Sequence, residues 1–247
     1  MRATGAACVE AFAVGWYGKI PGTGDFIVRR IPAAFSEPWD RWLQGALDGS
    51  RQRLGAHWRG AFLSMPAWRF ALGQGVVADN AWAGIMVPSV DSVGRYFPLT
   101  VACALPSLGL DVVATLLGAS RWFDDIEAIA VDAIARGADA VAIDDALAKR
   151  RFEARWLAMP EMNEATHPMR GAKPQMLWVD LAEPAPARAL HEAAERLSQP
   201  YSAWLAEPSE VFGRALLLCE SLPGGDAFCA MMDGRWVEHG WKPCPLR

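Results

Sequence analysis

The sequence predicts an α/β or α+β fold, a single domain in which helices pack on a sheet. Three observations carry that expectation. Short apolar runs bounded by Gly, Pro and Asn recur along the chain, and between them lie longer runs with helical spacing. The two kinds of segment are interleaved from end to end rather than segregated into blocks. The 247 residues, 52% of them hydrophobic, suffice for one large core, and no repeat divides them.

Taken in order, Ser36 is placed to cap a helix with Pro38 in its first turn, where a missing N–H does no harm. Trp39, Trp42, Leu43, Ala46, Leu47 and Leu54 follow helical spacing, and Gly55 is the expected stop. Ala61–Ser64, Arg69–Leu72 and Trp82–Val87 read as strands with tight connections, and Tyr96–Leu105 as a further buried strand ending at Pro106. Asp111 caps a helical region from Val112 to about Arg136, with Gly137 as terminator. Asp144 opens another helix that carries Leu147, Arg151, Phe152 and Trp156. Residues 159–175 lack periodicity, hold three prolines and read as a long loop or linker. A strand (Met176–Asp180), a helix from Pro186 to about Ser198, a strand (Ala215–Glu220) and a short helix after Pro223 complete the chain.

Charge and composition exclude several classes. With 24 Lys and Arg against 28 Asp and Glu, the net charge is −4, so the footprint of a dedicated nucleic-acid binder is absent. The counts of 22 Gly and 17 Pro are too low for a disordered or collagen-like chain. Glu10 breaks the first apolar stretch, and no secretory signal is expected. The longest uncharged run, Tyr96–Leu110, is 15 residues with two prolines, too short to span a bilayer. Cys8, Cys103, Cys219, Cys229 and Cys244 form no CxxC pair and sit in apolar surroundings. They read as reduced core residues of a cytoplasmic protein with no direct membrane insertion.

No catalytic constellation emerges. Gly18-Lys19-Ile20-Pro21-Gly22-Thr23-Gly24-Asp25 is Gly-rich, but a phosphate loop needs GxxxxGK[ST] with the Lys leading into a helix. Here Lys19 precedes the turn and Asp25 would repel an anion, so a turn set by Pro and Gly is the simpler account. Ser89, Asp91 and Arg95 lie in PSVDSVGRYFPL without a histidine signature, and Asp91 is expected to pair with Arg95 or to bridge a turn to a strand. No cofactor or metal is implied, since His239, Cys244 and the remaining cysteines match no ligand spacing. The acidic series Asp124, Asp125, Glu127, Asp132, Asp139, Asp144, Asp145 and the basic run Lys149, Arg150, Arg151, Arg155 read as solvated faces; the basic run is also a candidate interaction surface. Six of the twelve tryptophans fall in the first 82 residues; most are expected in the core.

Six blocks in order resemble the TagF (ImpM) family of type VI secretion. They are GKIPGTGDFIVRR (18–30), EPWDRWLQ (37–44), MPAWRFAL (65–72), WAGIMVPSVDSVGRYFPLTVA (82–102), QMLWVD (175–180) and LLLCESLPGGDAFCAMMDG (216–234). PGTGD stands where that family has a more polar PSxGD. The resemblance implies one domain over residues 1–247, with a central, largely antiparallel sheet flanked by helices. It also implies a non-enzymatic post-translational repressor of type VI secretion assembly that binds and sequesters the forkhead-associated scaffold protein, Fha. The candidate partner-binding residues are Lys19, Asp25, Arg29, Arg30, Trp39, Asp91 and Arg95, on the expectation that the first and fourth blocks lie together. Each has a structural alternative: Asp25 as a turn acceptor, Trp39 as core, Asp91 with Arg95 as an internal pair. Two other functions remain open, a nucleotide- or phosphate-binding module at residues 18–25 and a structural subunit of the secretion apparatus.

Overall fold

Strand side chains alternate between two faces, and here both faces are apolar, so the sheet needs helices on each side. A computed structural model describes residues 11–106, 110–157, 176–181, 190, 193, 194, 197 and 200–245. Its strands are β1 (Ala11–Ala13), β2 (Gly15–Gly18), β3 (Ile27–Arg29), β4 (Trp68–Leu72), β5 (Ala81–Val87), β6 (Leu99–Leu105), β7 (Arg151–Glu153), β8 (Met176–Asp180), β9 (Tyr201–Ala206), β10 (Ala215–Glu220) and β11 (Lys242–Pro243). Nine of them form one sheet in the order β11-β8-β10-β9-β4-β5-β6-β2-β3, while β1 and β7 pair separately. Every pairing in the large sheet is antiparallel except the short β11–β8 contact. The fold is thus a mixed α/β single domain with a largely antiparallel sheet.

Alternation sorts the core into two clusters. Ala71, Ala83, Ile85, Val101, Cys103, Leu205 and Leu216 face α3 (Val112–Gly118), α4 (Ser120–Arg136) and α5 (Ala140–Ala148). Trp68, Phe70, Trp82, Met86, Trp204 and Leu217 face α1 (Ala33–Leu54), α2 (Trp58–Ser64) and α6 (Gly225–Asp233). In the second cluster Phe35, Trp39, Trp42, Phe70 and Trp204 stack and tilt against one another at centroid distances of 4.6 to 6.0 Å. Helix α1 reaches α6 through Gly49 and Gly225, where a Cβ on Gly49 would lie 3.1 Å from the Gly225 Cα. A large indole fits a dry core best when its N–H finds an acceptor, and several of the core tryptophans have one. The Trp39 indole donates to Thr100 Oγ1 at 3.0 Å, Trp58 to Ser50 Oγ at 2.8 Å, Trp68 to the Met231 carbonyl at 3.0 Å and Trp241 to the Ala227 carbonyl at 3.0 Å.

Several expected boundaries move. Helix α1 starts at Ala33, with Ser36 and Phe35 already donating to the Pro32 carbonyl, so Pro38 lies inside the helix rather than in its first turn. Ala61–Ser64 is the end of α2 and not a strand; four residues carry too little periodicity to separate the two. The region from Val112 to Arg136 is two helices meeting at Ala119, with Asp111 and Gly137 capping as expected. Asp139 rather than Asp144 caps α5, which ends at Ala148, so that Phe152 lies in β7 and Trp156 in a 3-10 turn. The buried strand after Tyr96 begins at Leu99, and β9 is a central strand that the apolar-run criterion missed. Residues 159–175 lie outside the described residues, as does most of 186–198, where 190, 193 and 194 are helical. Cys103, Cys219, Cys229 and Cys244 are buried, and burial pushes the Cys219 thiol up to about 12.

Trp39 is wholly buried, so its truncation opens a cavity and orphans the Thr100 hydroxyl. Trp39→Ala should lower stability by about 3–5 kcal/mol in equilibrium urea unfolding; a loss within about 0.5 kcal/mol, usual for surface sites, would place this indole outside the core.

Candidate functional site

The first and fourth sequence blocks meet at one end of the sheet. Gly18 closes β2 with φ +134°, where a Cβ would lie 2.3 Å from the Pro98 carbonyl oxygen, so only glycine lets the chain turn there against β6. The chain then makes a turn from Ile20 to Thr23 around Pro21 and Gly22 and returns as β3, the edge strand. A second loop, from Ser89 to Phe97, is pinned by the Phe97 N–H to the Ser89 carbonyl and by the Asp91 N–H to the Arg95 carbonyl, both 3.0 Å. The Ser92 N–H donates to the Thr23 carbonyl at 3.2 Å, joining the two loops.

Asp91 is the centre of the junction. Its Oδ2 accepts from Lys19 Nζ at 2.6 Å and Arg95 Nε at 2.7 Å, and its Oδ1 from the N–H groups of Val93 at 3.0 Å and Arg95 at 2.8 Å. Lys19 and Asp91 are each only 4% exposed. Burial by itself would raise the Asp91 pKa, but the hydrogen bonds from Lys19, Arg95 and Val93 outweigh it and hold the carboxyl well below the usual carboxylate range. Arg95, otherwise exposed, reaches back to the Gly24 carbonyl. Chemically the group is a fixed ion pair: Asp91 stays ionised at neutral pH, and the Lys19 ammonium is already engaged.

This arrangement presents Phe26. The Lys19 ammonium lies 4.7 Å from the Phe26 ring centroid, Tyr17 stacks on the ring at 5.8 Å and Phe97 meets it edge-on at 4.8 Å. Yet Phe26 is 46% exposed, as are Val28 at 42% and, from the second loop, Val93 at 67%. Phe26 and Val28 share the parity of the strand and the Tyr17 face. A half-exposed aromatic ring held on three sides, with the exposed Val28 on its face and the exposed Val93 and Arg95 on the second loop, is an apolar patch with a basic residue at its margin. Arg29, paired with Trp16, lies on the other face of the edge strand.

The seven residues expected at the site divide by burial. Asp25, Arg29 and Arg95 are exposed at this edge. The Asp25 N–H donates to Thr23 Oγ1 at 3.3 Å, so the backbone rather than the carboxylate serves the turn. Arg30 is exposed but tied down, with Nε donating to the Val14 carbonyl at 2.7 Å and its guanidinium 2.9 Å from the Asp144 carboxylate, at the left-handed φ of +54°. Asp144 also accepts from the Trp16 indole at 2.9 Å, which fixes α5 to β2. The hydrogen bond from Arg30 leads the effects that lower the Asp144 pKa. Lys19 and Asp91 support the edge from within, and Trp39 belongs to the core. Of the acidic series, Asp124 and Glu127 are not a free solvated face: each lies 2.8 Å from the buried Arg69 on β4. Phe26, Val28 and Val93 were missed as site residues, although the alternation in DFIVRR and an apolar residue at the tip of SVGR are visible in the sequence.

The family model for the TagF N-terminal domain, type VI secretion system-associated, matches residues 15–150. The chain belongs to the TagF family. It is also similar to PA0076 from Pseudomonas aeruginosa PAO1, whose crystal structure superposes with a TM-score of 0.69 at 32% identity, over 90% of this chain and 95% of that one. No curated protein matches the chain. Both loops of the Asp91 junction fall inside the matched TagF segment, so this protein's candidate edge belongs to the part of the chain that marks the family. Among the described residues of this TagF protein, no helix is long and apolar enough to cross a membrane, and no group of three or more His, Cys, Asp or Glu is placed to hold a metal ion.

Removing one partner of a buried pair leaves the other charged and unpaired. Asp91→Asn should therefore cost about 3–5 kcal/mol in chemical denaturation at pH 7. Lys19→Met should cost less, because Asp91 keeps its donors from Arg95 and Val93. The Asp91 carboxyl is depressed in the folded state, so its contribution is complete above the unfolded value of about 3.9. The gap between wild type and Asp91→Asn should stay level from about pH 5 to 8 and narrow as pH falls below about 4. A gap that widens on acidification contradicts this sign.

Proposed function

We propose that the protein is a non-enzymatic negative regulator of type VI secretion assembly, acting in the cytoplasm by binding and sequestering the forkhead-associated scaffold protein. TagF membership supports the association with type VI secretion. The observation that carries the binding role is the β3 edge, where the buried Lys19–Asp91 pair is used to hold Phe26 half out of the core. Rigid aromatic and arginine side chains that bury on association without losing much freedom are the usual anchors of interfaces. Catalysis has little to use there, because the ionisable groups of the junction are locked into structural pairs. The nucleotide reading of residues 18–25 also loses its cation, since Lys19 is buried against Asp91.

Isothermal titration of the purified chain against the scaffold of the same secretion cluster tests this. A saturable one-to-one isotherm is expected, and Phe26→Ala with Arg29→Ala should weaken it by roughly 30-fold or more, in a variant that still melts in one cooperative transition. Arg30 is left intact because its bonds to Val14 and Asp144 make it part of the fold. Absence of heat and of co-elution, with both proteins folded, overturns direct scaffold binding; wild-type affinity in the double variant removes the β3 edge as the docking face.

A further inference from the structure

The basic run after α5 does not form a single solvated face. The end of α5, β7 and the turn at Ala154–Trp156 lie beside the first turn of α4 and line an open concavity of about 330 Å³. Five cations line it: Arg121, Lys149, Arg150, Arg151 and Arg155. Only two carboxylates answer them. Arg150 Nη1 lies 3.6 Å from Asp125, and Arg155 Nε lies 2.8 Å from Glu153. Arg121, Lys149 and Arg151 make no hydrogen bond or ion pair with any described residue. The negative end of the α5 dipole accounts for Lys149 and Arg150, but it does not explain why Arg121, from another helix, joins them. Within a chain of net charge −4, this is a local concentration of positive charge around one concavity, in excess of the carboxylates that the described residues place there.

A second observation is independent of charge. Trp122, also in the pocket wall, is only 2% exposed, and its Nε1–H has no hydrogen-bond partner among the described residues. A buried donor without an acceptor is costly; the Trp82 and Trp178 indoles share that condition, and of the three only Trp122 lines this pocket. Beside it Trp156 is half-buried, with the Arg155 guanidinium 5.4 Å from its ring centroid.

We infer that this pocket is a binding site for a phosphoryl group. A carboxylate brings one charge and two oxygens, and would leave most of the three unpaired cations unanswered. A phosphoryl dianion brings two charges and three acceptor oxygens, a match for the guanidinium forks of Arg121 and Arg151 with Lys149 as a point charge. The half-buried Trp156 gives an apolar wall for an organic body, and the volume lies at the low end of small-ligand pockets, roughly 300 to 1,000 Å³. The same cations suit a phosphorylated metabolite and a phosphorylated side chain. The site is separate from the scaffold reading and does not depend on it.

The test titrates the full chain with inorganic pyrophosphate, phenyl phosphate, a short peptide carrying one phosphoserine, and succinate as the carboxylate control. Heat and the indole ¹⁵N–¹H resonance of Trp122 are followed together. The phosphoryl probes should bind one-to-one and shift that resonance, with succinate weaker by about tenfold or more. Tighter binding of the peptide than of phenyl phosphate assigns a modified side chain as the source; the reverse order assigns a free metabolite. Arg121→Gln with Arg151→Gln, both exposed positions, should weaken binding by about tenfold per guanidinium lost. Arg41→Gln, on the exposed face of α1, should leave it unchanged. Absence of heat and of an indole shift with every phosphoryl probe overturns the site. So does equal affinity for succinate, or wild-type affinity in the Arg121/Arg151 variant when its melting curve shows it folded.

Discussion

A carboxylate with four donors, buried where a sheet runs out, is the constraint on which the candidate face depends. Asp91 joins the loop after β2 to the loop before β6, two segments some seventy positions apart in the chain (|i−j| = 72 for the Lys19 bond). A buried charge of this kind is tolerated because every oxygen is answered, two donors to each. It is a device of specificity more than of stability, since two well-packed apolar residues would fill the same space without the desolvation penalty. What the ion pair supplies instead is position. The Lys19 ammonium that satisfies Asp91 also lies over Phe26, and Arg95 reaches the Gly24 carbonyl, so the path of the first loop is fixed by the chemistry of the second.

The rest of the domain gives that edge a stiff support. Tyr17, under Phe26, donates its hydroxyl to Asp40 on α1, which links the exposed ring to the helix through one residue. Helix α1 is in turn locked to the sheet by Trp39, whose indole reaches Thr100 on β6. On the opposite face the Asp144 carboxylate of α5 receives both the Trp16 indole and Arg30, so the residue that follows β3 is anchored from the other layer. The β3 edge is therefore held from above, below and within.

Much of this was legible in the sequence, and what was not has physical causes. The buried strands β4, β5, β8 and β10 were readable because they are apolar on both faces and bounded by Gly or Pro. Asp111, which caps through its side-chain oxygen, and the αL glycine Gly137 were readable from local sequence, whereas Asp139 was passed over for Asp144, a second aspartate five positions on. Asp91 with Arg95 was readable because a turn brings residues four apart together. Lys19 as the third partner was not, since nothing local distinguishes a lysine that will be buried from one that will be solvated. β9 escaped notice because Ser202 interrupts its apolar run, although Trp204 uses that same hydroxyl as its acceptor at 2.9 Å. Arg69 and its carboxylates were separated by more than fifty positions, so an amphipathic helix face was indistinguishable from one half of an ion-pair network.

An exposed edge strand invites pairing with other strands, and β3 meets that hazard in a way that bears on recognition. It is three residues long, Arg29 and Arg30 close it, and Arg30 turns out of the strand at a positive φ. Short length, charge and a broken backbone path all blunt strand addition. A partner docking here has few main-chain hydrogen bonds to gain, and its affinity has to come from side chains: the Phe26 ring, Val28, Val93 and the guanidinium groups around them. Such a surface discriminates by shape and by the position of one aromatic ring rather than by extending the sheet. The buried Lys19–Asp91 pair bears on that position directly, because the same ammonium that answers Asp91 lies 4.7 Å from the ring centroid.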